Sequence, residues 1–104
     1  MKVTVSSRNC SPDDATRKDI RGQIFFALSR FSPRIEQVTV RIGDAGGTCG
    51  SSQQLCRLLV RMKRLGSFSV ESVEEEILGA VSRAANRAAK QVRRILDQRR
   101  NEIY

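Results

Sequence analysis

Polar and β-branched residues alternate along Lys2-Val3-Thr4-Val5-Ser6-Ser7, the period of two that a half-buried strand requires. The period then changes. Ser11-Pro12-Asp13-Asp14 offers an N-cap in Ser11, a proline suited to the first helical position, and two acids for the positive end of a helix dipole. Beyond it Ile20, Ile24, Ala27, Leu28 and Phe31 recur at spacings of three and four, one apolar stripe on a helix that Ser32-Pro33 should stop. Alternation returns from about Ile35 to Ile42, with Val38, Val40 and Ile42 on one face and Gln37, Thr39 and Arg41 on the other. A glycine-rich stretch over residues 43–52 reads as a flexible hairpin connection. In a third strand Cys56, Leu58, Val60 and Met62 share one face, and Leu55, Arg57, Leu59, Arg61 and Lys63 the other. A turn at Arg64-Leu65-Gly66-Ser67 leads into a short fourth strand with Phe68 and Val70 inward. Ser72-Val73-Glu74-Glu75 matches a capping box. The helix it would open runs to about Arg100 on a stripe of Leu78, Val81, Ala85, Ala88, Val92 and Ile95, widened by Ile77 and Ala84.

The predicted order is β-α-β-β-β-α. Each strand has one mostly polar face, so the sheet should be covered on one side only, and each helix has a single apolar stripe to cover it. Strands one and two, joined through a helix, should be parallel, and the later strands, joined by hairpins, antiparallel. The expected fold class is α+β: a two-layer sandwich in which both helices lie on one face of a four-stranded mixed sheet. It is double-stranded RNA-binding-domain-like, since that domain shares the α-β-β-β-α part of the order.

A length of 104 residues suits one domain spanning 1–104. Lys and Arg number 19 against 11 acids, a net charge of +8, which makes a polyanion the first partner to consider. No signal peptide and no apolar run long enough for a membrane span is visible. Cys10, Cys49 and Cys56 are odd in number and widely spaced, which reads as reduced thiols in a cytoplasmic protein. With no histidine and no Cys-x-x-Cys, neither a zinc site nor a catalytic constellation is expected. The loop glycines are not followed by Gly-Lys-Ser/Thr, so they do not form a P-loop. No cofactor, small-molecule substrate or membrane partner is expected.

The second helix carries the most information. Between Ile77 and Leu96 it holds five bases, Arg83, Arg87, Lys90, Arg93 and Arg94, and no acid. Arg83, Arg87, Lys90 and Arg94 follow spacings of four, three and four, which makes one narrow row nearly opposite the apolar stripe. Like charges at that spacing repel by a few tenths of a kcal/mol per pair, roughly 0.2–0.5. A phosphate backbone would relieve the repulsion and release counterions; a merely solvated face is the alternative. Arg57, Arg61 and Lys63, with Arg41 beside them, offer a second basic surface on the open sheet face, where Leu55 and Leu59 also stand. Phe25, Phe26, Phe31 and Phe68 read mostly as core residues, which favours recognition of backbone and shape over base stacking.

Leu78-Gly79-Ala80-Val81-Ser82 is similar to the Tyr-x-Ala-Ile-Asp segment of the ribosome hibernation promoting factor and ribosome-associated inhibitor family, also called the sigma-factor modulation family. Arg87-Ala88-Ala89-Lys90-Gln91-Val92 resembles its Lys-Leu-x-Arg-Gln-Leu segment, and Arg93-Arg94 continues the basic run. Leu78 stands where that family usually has tyrosine and Ser82 where it has an acid, as in a divergent member. The resemblance implies a non-catalytic factor that binds the small ribosomal subunit in the channel used by mRNA and tRNA, blocks initiation and promotes hibernation under stress. It also implies that Arg83, Arg87, Lys90 and Arg94 face ribosomal RNA, and that a chain ending at Tyr104 looks like a short-form member. Two other readings stay open: a general module for structured RNA, and a protein-interaction or weakly self-associating module that uses the Leu55/Leu59 face.

Overall fold

The computed structural model describes residues 1–7, 12–44 and 53–102, with side chains as far as residue 98. Its elements are β1 (Lys2–Ser7), α1 (Asp14–Leu28), a 3-10 segment (Ser29–Arg34), β2 (Ile35–Asp44), β3 (Gln54–Met62), β4 (Gly66–Glu74) and α2 (Ile77–Glu102). The four strands lie side by side in the order β1-β2-β3-β4. β1 runs parallel to β2, and the β2/β3 and β3/β4 pairs are antiparallel. The architecture is therefore the expected α+β one.

Alternation decides which side of the sheet is covered. Val5, Val38, Val40, Ile42, Cys56, Leu58, Val60 and Met62 point inward and are buried. They meet Ile20, Ile24 and Leu28 of α1 and Ala80, Val81, Ala84, Ala85, Ala88 and Val92 of α2 in one core. The buried alanines on α2 let its backbone approach β3 and β4 closely, and the face turned away from the sheet is exposed to solvent.

Local chemistry differs from the sequence reading at four places. The N-cap of α1 is Asp13, whose carboxylate accepts the Thr16 N–H at 2.8 Å; an anionic acceptor satisfies an orphan donor and the helix dipole together. Ser11, the expected cap, lies outside the described residues. Ser72 does not open α2. It is a buried residue of β4 paired with Cys56, because β4 stays in register with β3 as far as Glu74 and the helix cannot begin until the ladder ends. The first helical bond off that end runs from the Ala80 N–H to the Glu76 carbonyl, at 3.0 Å. Pro33 does not end α1 directly; it sits inside the 3-10 segment that follows Leu28. Lys63 lies beyond β3, in the hairpin, where its N–H donates to the Arg34 carbonyl at 2.9 Å. That hairpin closes on Gly66 at φ +81°, a conformation glycine adopts without a Cβ penalty. The glycine-rich loop beyond Asp44, with Cys49, and Cys10 near the start of the chain fall outside the described residues.

Candidate nucleic-acid interface

The predicted basic residues occupy two opposite layers. Arg57 and Arg61 project from the uncovered face of the sheet, whereas Arg83, Arg87, Lys90, Arg93 and Arg94 project from the outer side of α2; all are exposed. They do not converge on one site, and their electrostatic states differ.

On the sheet face two of the cations, Arg57 and Arg61, are ion-paired within the protein. β3/β4 register puts Arg57 directly opposite Glu71, and the guanidinium donates from Nε at 3.0 Å and Nη2 at 2.7 Å to one carboxylate oxygen. Arg61 lies 3.7 Å from the Glu36 carboxylate. Arg41 stands opposite Arg57 on the β2 side, a like-charge pair of which only Arg57 has a carboxylate partner among the described residues. Leu59, at 42% exposure, and Val73, at 44%, are also uncovered on this face. The result is a surface with two ion-paired arginines, exposed apolar residues, and an Arg41 without a carboxylate partner among the described residues.

The ridge on α2 behaves differently along its length. At its N-terminal end Arg83 pairs with Glu74 at the end of β4. One turn later the Arg87 Nη1 donates at 2.9 Å to the Glu71 backbone carbonyl. That bond fixes the side chain beside the β4 edge and leaves its full charge without a carboxylate. Lys90, Arg93 and Arg94 have neither a carboxylate nor a hydrogen-bond partner among the described residues. Arg83 is thus neutralised, because β4 reaches far enough to bring Glu74 alongside the first turns of α2, and the cations from Arg87 onward have no carboxylate partner among the described residues.

Sequence reasoning also missed a feature. Phe26 is 89% exposed and Phe25 45%, so neither is the core residue expected. The signal was present in the helical phase. At about 100° per residue, Phe26 lies roughly 160° from the mean direction of Ile20, Ile24 and Leu28. Next to it Arg30 holds its guanidinium 5.8 Å from the centroid of the Phe31 ring, within cation–π range.

No constellation of three or more His, Cys, Asp or Glu residues that could hold a metal occurs among the described residues. Burial pushes the Cys56 thiol up to about 12, which keeps it protonated and unreactive. No described helix is long and apolar enough to cross a membrane.

Comparison with known proteins adds to this geometry. The family described as sigma 54 modulation protein / S30EA ribosomal protein matches over residues 3–100. Among solved structures, the Thermus thermophilus Protein Y N-terminal domain superposes with a TM-score of 0.73 at 23% identity, over 90% of this chain and 98% of that one. A ribosomal subunit interface protein from Coxiella burnetii superposes with a TM-score of 0.75 at 8% identity, over 90% of this chain and 96% of that one. No curated protein sequence matches the chain.

Proposed function

The chain belongs to the sigma 54 modulation protein / S30EA ribosomal protein family, and from that premise we propose that residues 1–104 form a non-catalytic ribosome-binding domain acting in the cytoplasm. It would occupy the mRNA and tRNA channel of the small subunit and repress translation, or promote ribosome hibernation, under stress. The Coxiella burnetii neighbour is itself named a ribosomal subunit interface protein, which agrees with this reading.

One observation carries the proposal. Arg87, Lys90, Arg93 and Arg94 stand on the solvent side of α2 without carboxylate partners among the described residues. Holding unneutralised cations one turn apart costs free energy in the isolated protein, and ribosomal RNA phosphates would recover it through charge-assisted contacts and counterion release. The unpaired cations span Arg87 to Arg94 on α2, roughly 10 Å at a rise of 1.5 Å per residue, so the row can follow a backbone over a few phosphates. The recognition is of backbone position, as fits a channel lined by structured RNA. The sheet face is the weaker candidate, because Glu71 and Glu36 already answer Arg57 and Arg61.

The test is co-sedimentation with purified small subunits. Binding should weaken steeply with salt, and the double charge reversal Arg87→Glu with Arg94→Glu should abolish it. Undiminished binding by that variant would remove the basis of the proposal. Salt-insensitive capture of a protein, without RNA affinity, would favour the Leu55/Leu59 sheet face instead.

A further inference from the structure

Phe26 stands on the rim of a groove that runs between the solvent sides of α1 and α2. One stretch, of about 620 Å³, has Lys18, Gly22 and Phe26 on the α1 side and Leu78, Ser82 and Asn86 on the α2 side. The next stretch, of about 230 Å³, shares Phe26, Ala27 and Asn86 and continues to Arg30, Phe31, Lys90 and Arg93. The wide end is open beside Gly22, where even a Cβ would meet nothing within 4 Å. The floor is small and apolar, with Ala27, Ala85 and Ala89, and the rim is cationic. Lys18, Arg30, Lys90 and Arg93 face one acid, Asp19, among the residues that line it. None of those four cations has an ion-pair partner among the described residues.

A flat, exposed aromatic ring beside unpaired cations is the combination that single-stranded nucleic acid selects. The ring offers a π-face to a base, and the cations take the flanking phosphates. A protein partner fits less well. One exposed ring with small alanines supplies little of the roughly 800 Å² per partner of a standard interface. We propose that this groove seats an unpaired nucleotide, its base stacked on Phe26 and its flanking phosphates on Arg30, Lys90 and Arg93. The inference rests on the ribosomal reading for the source of the strand, but its chemistry is that of any unpaired RNA. Phenylalanine has no hydrogen-bonding group, so the subsite is tolerant of base identity.

The intact chain supplies its own reporter, because it contains no tryptophan. Phe26→Trp places a single indole on the groove rim without disturbing the core. Its fluorescence is titrated with a mixed-sequence RNA of about 12 nucleotides, within the site sizes of single-strand binders, and with an abasic strand of the same length and charge. Quenching by the first and not by the second is expected; equal quenching by both, or none by either, overturns the subsite. Phe26→Ala should weaken binding of the base-containing strand by about 5- to 150-fold, the range one stacked base supplies. Its thermal melting and the salt slope should be unchanged, since no charge is lost. Wild-type affinity in Phe26→Ala overturns the proposal, as does loss in that variant of a dimer formed without RNA, which would make the occupant a second copy. Sedimentation of the wild type with small subunits separates the two readings. If quenching occurs without sedimentation, the ribosomal reading falls and the subsite stands. If the wild type sediments with small subunits but base-dependent quenching is absent and Phe26→Ala binds the RNA strand as the wild type does, the subsite falls and the ribosomal reading stands.

Discussion

Replacing Lys90 and Arg94 together by alanine should halve the salt dependence of ribosome binding, and the same number of charges removed from the sheet face should leave it alone. Four cations on α2, Arg87, Lys90, Arg93 and Arg94, lack a carboxylate partner among the described residues. If each neutralises one phosphate, log K falls with log salt at a slope of about −2.8 to −3.6. A rise from about 50 to 200 mM salt then weakens the wild type roughly 50- to 150-fold. With Lys90 and Arg94 removed, two contacts remain, the slope drops to about −1.4 to −1.8, and the same step costs only about 7- to 12-fold. The control is Arg57→Ala with Arg61→Ala. Both double variants take the chain from its net charge of +8 to +6, so any difference between them reports where the charge sits. Arg57 and Arg61 are already answered by Glu71 and Glu36, so this second pair should retain the wild-type slope. The assay is small-subunit binding by sedimentation or fluorescence anisotropy over at least four salt concentrations. A wild-type slope in the Lys90/Arg94 variant, or an equal fall in the Arg57/Arg61 variant, would refute the assignment of the contact surface to α2.

Leu58→Ala should lower stability by about 2–5 kcal/mol, because its side chain is fully buried in β3 beneath the helices; denaturant unfolding would measure it, with the exposed Leu59→Ala as a near-neutral reference. In a Cys10→Ser, Cys49→Ser background, the Cys56 thiol, pushed up to about 12 by burial, should resist a thiol reagent at neutral pH, and its labelling rate should follow global unfolding. Hydrogen bonding from the Thr16 side chain, and then from its backbone N–H, holds the Asp13 carboxyl below its ordinary value of 3.8. That stabilisation is therefore complete above the ordinary value and is lost as pH falls through the lower folded one. Asp13→Asn, which keeps an acceptor but cannot titrate, should flatten the acid limb of the melting temperature below about pH 4; an unchanged acid limb would show that the cap does not contribute to it.

Much of this protein was legible in the one-dimensional pattern. The period of two along Val38, Val40 and Ile42, and again along Cys56, Leu58, Val60 and Met62, determines the inward face, because in a strand the pleat alone sets side-chain direction. The period of 3.6 on α2 likewise put Arg87, Lys90 and Arg94 opposite Val81, Ala85, Ala88 and Val92. Phe26 is legible too, because its phase on α1 sets it opposite the buried stripe whatever its aromatic character.

Which cations would already be spoken for was not available from the sequence. Arg57 meets Glu71 because of the β3/β4 register, Arg61 meets Glu36 across β2 and β3, and Arg83 meets Glu74 because β4 outlasts the expected helix start. Ser72 carries the same lesson: its capping motif is a local preference worth about 1 kcal/mol, and continued pairing with β3 overrode it. Periodicity is a property of one segment, so one segment's residues determine it. Charge neutralisation depends on which segments become neighbours and in what alignment, and only the packed sheet and its covering helices decide that.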